Sequence, residues 1–301
     1  MKRIHLLVSI FSVSLCAFSL TGCGQQSTTT AQNSVESESQ APATSVIESA
    51  TDWSPTARTH LVSAPADSAT LKIKFVIDGD VPEAGLIDGS RDPYCAELEM
   101  KDDRLIVGKD GAIQNIVVYL DKRKTKVDLP KFDAEAKKHV LDNKGCLFTP
   151  KIILSQPGDT IVVTNSDETG HNANFSFFNN QSVNFLVPSG QEKDLTLKAD
   201  EPAPMPVECN VHPWMKAHIV VTDHPFVGAT DKDGVLEIED LPAGEITFKV
   251  WHEHQLKSLD KPIVDGKEEK WRGGRMEVEL KPGMNDMGTI KLPAKLFKPM
   301  K

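Results

Sequence analysis

From position 69 onward, apolar and polar residues alternate over much of the chain, with the two-residue period that turns one face of a strand toward a core. Leu71-Lys72-Ile73-Lys74-Phe75 alternates, becomes apolar through Val76-Ile77, and stops at Asp78-Gly79-Asp80, a strand followed by its turn. Leu105-Ile106-Val107 and 113–120 read as a hairpin around Gly108-Lys109-Asp110-Gly111. Short strands are expected at 151–154, 160–164, 176–178, 184–187, 191–197, 207–209 and 218–222. Two more, at 235–238 and 246–252, are bounded by Thr230-Asp231-Lys232-Asp233-Gly234 and Leu241-Pro242-Ala243-Gly244. Residues 133–140 are the exception and predict one or two helical turns. The pattern is that of an all-β chain.

The first residues do not fit it. Met1-Lys2-Arg3 is a positive start, 4–20 is mostly apolar, and Leu20-Thr21-Gly22-Cys23 follows, the layout of a secretory leader. Its ending looks like a bacterial lipobox, which implies cleavage before Cys23 and a lipid on that cysteine. A transmembrane anchor is the alternative, and the apolar run is short for one. Gly24 behind the cysteine points, by analogy, to the outer membrane. We therefore expect a leader at 1–22 and a flexible tether at 23–67, rich in Ser, Thr, Gln, Ala and Glu and without an apolar period. Trp53 is out of character there and docks on the folded part or does nothing. The formal charge of −9 argues against nucleic acid and against electrostatic adhesion to anionic lipid.

Of five cysteines, Cys16 leaves with the leader and Cys23 carries lipid, so Cys95, Cys146 and Cys209 remain. An odd number in an oxidising compartment calls for one pair and one special thiol. The simplest division pairs Cys95 with Cys146 and keeps Cys209 for a metal. The alternative puts Cys209 into a disulfide and removes the metal site.

Cys209-Asn210-Val211-His212-Pro213-Trp214-Met215 carries a thiolate, an imidazole and a thioether at C-x2-H-x2-M spacing. With one more imidazole these make a trigonal His2Cys set with a weak axial Met, which selects copper and suits one-electron transfer. The bland alternative is a core loop, since Cys and Met are common in cores. The further imidazole is His171, which follows Pro157-Gly158-Asp159-Thr160 and a loop shaped by Asn165, Asp167 and Gly170. A histidine just past a strand end can be aimed by the sheet behind it.

These two segments resemble the ligand regions of cupredoxins (type 1, or blue, copper proteins), and the second is similar in spacing to the amicyanin loop. The resemblance spans about 69–222, with a longer connection between Gly79 and Pro150 than in a minimal cupredoxin. It implies a Greek-key β-sandwich holding one type 1 copper, with His171, Cys209 and His212 as equatorial ligands and Met215 as the axial one. It implies that Asn172 ties the two ligand loops together. It also implies that His212 reaches the surface through an apolar patch, here with Pro213 and Trp214, as the electron exit. Residues 225–292 resemble the transthyretin-like, carboxypeptidase-regulatory-like module through their Asp-x-Asp-Gly and Leu-Pro-x-Gly turns. The expected division is thus 68–223 for the copper domain, followed by 224–301 for a smaller β-sandwich.

The function implied is electron transfer without bond chemistry, not enzymatic, in a lipid-anchored protein of the cell envelope facing the periplasm. Its partners would be a cytochrome, oxidase or dehydrogenase, and the membrane through the lipid. A copper carrier or store, or a scaffold with a vestigial site, are the alternatives. A multicopper oxidase needs His-Cys-His, and a binuclear centre needs Cys-x3-Cys; Cys209 has neither. His252-Glu253-His254 lacks the His-Glu-x-x-His spacing and is taken as surface histidine at a strand end, as are His218 and His224.

Overall fold

In the computed structural model, residues 67–129, 135–255 and 257–298 are described. The leader, the lipobox with Cys23, Trp53 and nearly all of the tether lie outside them. The strands run in chain order as β1 (Ser68–Asp78), β2 (Val117–Leu120), β3 (Lys138–Lys144), β4 (Leu147–Thr149), β5 (Ile152–Ser155), β6 (Thr160–Asn165), β7 (His171–Phe175), β8 (Val183–Val187) and β9 (Glu192–Thr196). They continue as β10 (Met205–Glu208), β11 (Lys216–Val221), β12 (Val227–Ala229), β13 (Val235–Pro242), β14 (Gly244–Trp251), β15 (Ile263–Val264), β16 (Lys267–Glu268), β17 (Arg275–Leu280) and β18 (Gly283–Pro293). Among the described residues no helix is long and apolar enough to cross a membrane.

Four sheets form two sandwiches. In the first, β13-β1-β18-β15-β16 faces β12-β2-β14-β17. The alternation in β1 buries Leu71, Ile73 and Phe75, and these meet Ile113, Val118, Leu236, Phe248, Ile290 and Leu292 in one core. Burial of side chains this size is worth about 1.5–3 kcal/mol each. In the second, β5-β11-β10-β7-β8 faces β4-β3-β6-β9, with Leu141, Phe148, Ile161, Phe175, Val207, Met215 and Ile219 between them.

The division differs from 68–223 followed by 224–301. β1 pairs antiparallel with β13 and parallel with β18, and β2 lies between β12 and β14. Both early strands are therefore part of the sandwich built by the C-terminal residues, and the second sandwich is inserted into the first. The insertion leaves and returns at one place, where the Leu120 N–H donates to the Phe226 carbonyl at 3.0 Å. Chain ends that lie together are what make such an insertion tolerable. Sequence pattern alone cannot reveal this, because alternation marks a strand without naming its partner.

Other expectations are also corrected. The hairpin at 105–120 is a single bridge between Val107 and Ile113, because β2 takes its partners from the C-terminal half. Residues 138–140 are strand, not helix, drawn into parallel pairing with β6, and Ser176-Phe177-Phe178 lies beyond the end of β7.

The sandwiches meet through the outer faces of two sheets. Val117, Val227 and Ala229 of the first pack on Ile152 and Val220 of the second, flanked by Tyr119, Leu154 and Trp251. Beside them the Lys151 ammonium pairs with Asp103 (2.9 Å) and Glu253 (3.3 Å), all within this contact region. Burial pushes Glu253 up to about 7 against the pull of Lys151, and pushes His218, 4.7 Å from Trp251 between ring centres, down to about 3. The histidines taken as surface groups are inside. His252 and His254 are 1% and 2% exposed, and His224 is also buried. The His254 N–H donates to His252 Nδ1, and His254 Nε2 lies 2.9 Å from the Lys298 carbonyl.

Candidate metal centre

The two ligand loops come together because their strands are neighbours. β7 pairs with β10, Glu208 opposite Asn174, and β10 turns into β11 through 209–215. That turn closes on itself: the Cys209 N–H donates to the Met215 carbonyl (3.2 Å) and the Met215 N–H to that of His212 (2.9 Å). On the other side, Asn165 rounds the loop after β6, its Nδ2 donating to the carbonyls of Thr169 and Val187 and its Oδ1 accepting the Asp167 N–H. His171 is the first residue of β7 rather than a loop residue past a strand end, and it is paired with Val187.

The result is a buried triangle. One ligand atom each from His171, Cys209 and His212 lies within 4.8 Å of the others. The two imidazole Nδ1 atoms are 2.9 Å apart, and Cys209 Sγ is 3.7 Å from His212 Nδ1. Cys209 is a free thiol, and Cys95 is disulfide-bonded to Cys146. Met215 is fully buried in the same core as Cys209. Asn172 Oδ1 accepts the N–H groups of Asn210 (2.9 Å) and Val211 (3.3 Å) and faces Cys209 Sγ at 3.4 Å, while its Nδ2 donates to Asn184 and Asn210.

Two carboxylates absent from the sequence-derived site stand behind the histidines. Asp167 is 2% exposed, with Oδ2 2.9 Å from His171 Nε2. It also accepts the N–H groups of Gly145 (2.6 Å) and Cys146 (2.8 Å) and the Tyr94 hydroxyl (3.3 Å). Asp92 Oδ2 lies 3.4 Å from His212 Nε2, a buried nitrogen that makes no hydrogen bond. Burial holds the His171 imidazolium below its usual range against the pull of Asp167. For Asp92, burial works upward, but hydrogen bonds from Cys95, Thr169 and Tyr94 outweigh it and hold the carboxyl low. Asp92 had no signal of its own in the sequence; the structure brings it here through the Cys95–Cys146 disulfide, three residues on.

The donor set fits a metal ion when each imidazole carries its proton on Nε2. Each carboxylate favours a proton on the Nε2 facing it. Both Nδ1 atoms then carry lone pairs and confront each other at 2.9 Å in a buried site. A cation bound by both relieves that conflict, and a thiolate beside it completes a soft, copper-selecting set.

The expected electron exit is not found at His212. That ring is 0% exposed. Tyr94, Cys95, Leu98 and Met100 pack with Cys146 and Trp214 beside it. Trp214 is half-buried and donates its Nε1–H to the Cys146 carbonyl at 3.0 Å, with its ring 5.2 Å from that of His212. Pro213 is exposed.

No family model and no curated protein matches the chain. Among solved structures, a Cu-containing nitrite reductase from Thermus scotoductus SA-01 is similar at 20% identity and TM-score 0.27, over 32% of this chain and 25% of that one, so only a quarter of the reductase is spanned. The Cu(I) form of an amicyanin variant matches at 19% identity and TM-score 0.26, over 28% of this chain and 82% of that one. A purple cupredoxin from Nitrosopumilus maritimus matches at 18% and 0.24, over 29% and 99%.

Proposed function

We propose that this chain is a type 1 copper protein that passes single electrons between redox proteins of the cell envelope, held to the membrane through lipid on Cys23. The observation that carries the reading is the convergence of His171 Nδ1, His212 Nδ1 and Cys209 Sγ in a buried triangle. His171, Cys209 and His212 would hold the ion and Met215 would lie along the axis. Copper bound there would supply one-electron chemistry by alternating between its +1 and +2 states.

The chain's own residues do the remaining work. Asn172 fixes the 209–215 turn by accepting its N–H groups, and Asp167 fixes the His171 ring. Both ligand loops are braced by the sheet formed by β7, β10 and β11, so little moves when the charge changes. Burial of all four side chains excludes water and favours retention of the ion over hand-over to another protein. The acidic balance suits a basic redox partner such as a cytochrome.

The test is spectroscopic. Copper added to the metal-free mature protein should bind one to one and give intense visible absorption, and Cys209→Ser should abolish that band while leaving the fold. A colourless loaded wild type refutes type 1 copper. Loss of Cu(I) to a chelator within seconds would turn the assignment to a carrier.

A further inference from the structure

We infer that Asp92 is a positioning residue for His212, brought to the metal centre by a segment of the first sandwich and locked there by the Cys95–Cys146 disulfide. This rests on the copper reading above and goes beyond it. Residues 79–116 connect β1 and β2 of the first sandwich, yet part of the connection lies over the ligand loops of the second.

Three ties hold it there. Thr169 Oγ1 donates to Asp92 Oδ2 at 2.9 Å, the Tyr94 hydroxyl donates to Asp167 Oδ1 at 3.3 Å, and Cys95 is bonded to Cys146. The carboxylate is oriented by its own turn. Asp92 Oδ1 accepts the N–H groups of Tyr94 (2.9 Å) and Cys95 (3.1 Å), which leaves Oδ2 facing Thr169 and the His212 ring. The disulfide runs alongside: Cys95 Sγ is within 4.8 Å of the His212 nitrogen and the Asp92 oxygen, and Cys146 Sγ is within 4.8 Å of their counterparts on His171 and Asp167.

The consequence lies in which way the His212 ring faces. A ring with its N–H toward Asp92 presents a bare Nδ1 to Cys209 and His171. Without Asp92 the Nδ1 can keep the proton and donate it to His171 Nδ1, 2.9 Å away, which withdraws both nitrogens from the centre. Asp92 therefore stands toward His212 as Asp167 stands toward His171, at 3.4 Å rather than at the 2.9 Å hydrogen-bond distance, and it arrives from another sandwich and stays only while its segment is held. Outer-shell partners of this kind are worth about 10- to 100-fold in metal affinity.

The experiment uses the full mature chain. Nitrogen-15 spectra of the metal-free wild type should show His212 protonated at Nε2; protonation at Nδ1 overturns the inference without any variant. After copper loading, Asp92→Ala should lose about 10- to 100-fold in copper affinity by chelator competition, with an altered paramagnetic-resonance spectrum. Asp92→Asn keeps an oxygen acceptor and should recover most of the affinity, while the loss of charge raises the reduction potential. The double variant Cys95→Ser/Cys146→Ser should reproduce the affinity loss of Asp92→Ala. If the wild type is blue and all variants match it in affinity, potential and spectrum, Asp92 has no positioning role and the copper reading stands. If the wild type binds no copper, both fall.

Discussion

Asp167 is the test of whether the metal centre and the disulfide turn are one structure. Its carboxylate accepts the N–H groups of Gly145 and Cys146 and faces His171 Nε2, and it is 2% exposed. Asp167→Ala removes the acceptor from all three, as well as from the half-buried Tyr94 hydroxyl, at a site only 2% exposed. A buried donor deprived of its partner costs about 1–3 kcal/mol. Three such donors give roughly 3–9 kcal/mol, the lower end applying where the Gly145 edge can rehydrate. The loss includes backbone strain held in check, since Cys146 sits at φ 55°, a left-handed conformation that a non-glycine residue adopts only when its surroundings impose it. Asp167→Asn keeps one oxygen and should cost about a third as much, roughly 1–3 kcal/mol. Urea denaturation of the metal-free mature protein at pH 7, followed by far-ultraviolet circular dichroism, reads these values directly, and disulfide quantification confirms that Cys95 and Cys146 remain bonded in each variant. If Asp167→Ala unfolds within about 0.5 kcal/mol of the wild type, the size of an ordinary surface substitution, the carboxylate is not the hub described.

Two further outcomes follow from the geometry. Glu253, raised from 4.5 to about 7 by burial, keeps its proton in the folded state over a range where the unfolded chain has lost it, so its contribution to stability is full below pH 4.5 and is lost as pH rises to about 7. The loss is roughly 3 kcal/mol, so Glu253→Gln should gain about that much relative to the wild type between pH 4.5 and 7.5, and parallel urea profiles at the two pH values would refute it; the buried His218 and His252, lowered to about 3, act in the opposite direction, adding stability as pH rises toward 6.5, and are present in both proteins. Asn172→Ala leaves the N–H groups of Asn210 and Val211 without their acceptor, which should cost about 1–3 kcal/mol and speed amide exchange across 209–215, while unchanged exchange there would show that the turn is fixed by other contacts.

The residues of the candidate metal centre were legible because their chemistry is local. Cys209, His212 and Met215 occupy one seven-residue turn, and a soft ligand set at that spacing has few other uses. His171 was legible because Asn165 and Gly170 announce a shaped loop before it. Strand positions such as 71–75 and 184–187 were legible because half-buried strands alternate, and 160–164 because its run of Ile and Val between threonines favours a strand. What could not be read was anything fixed by pairing across long separations. β1 looks the same whether it joins the next strand or one more than two hundred residues away, as its parallel register with β18 requires. Asp92 is one aspartate in a connection without period, and it acquires a role only through Thr169 and His212, 77 residues on and farther. The histidines at 252 and 254 were misplaced for the same reason: they are covered by Phe297 and Lys298, more than forty residues on, which a local pattern does not name as neighbours.

The insertion explains why His212 is covered. In a free-standing sandwich nothing in the chain needs to lie over the turn between β10 and β11. Here the connection between β1 and β2 belongs to the host, the insertion begins directly after β2, and the disulfide joins a host residue, Cys95, to an inserted one, Cys146. Covering the ligand turn is thus a property of the joint, not of either sandwich. Since His212 is shielded there, an electron that leaves by the ligand turn meets solvent first at the exposed Val211 and Pro213, one bond to either side of the histidine, rather than at the imidazole edge. Substituting Val211 by a charged residue is the direct way to ask whether a partner docks there: slower electron exchange with an unchanged spectrum places the exit at that face, and unchanged exchange places it elsewhere.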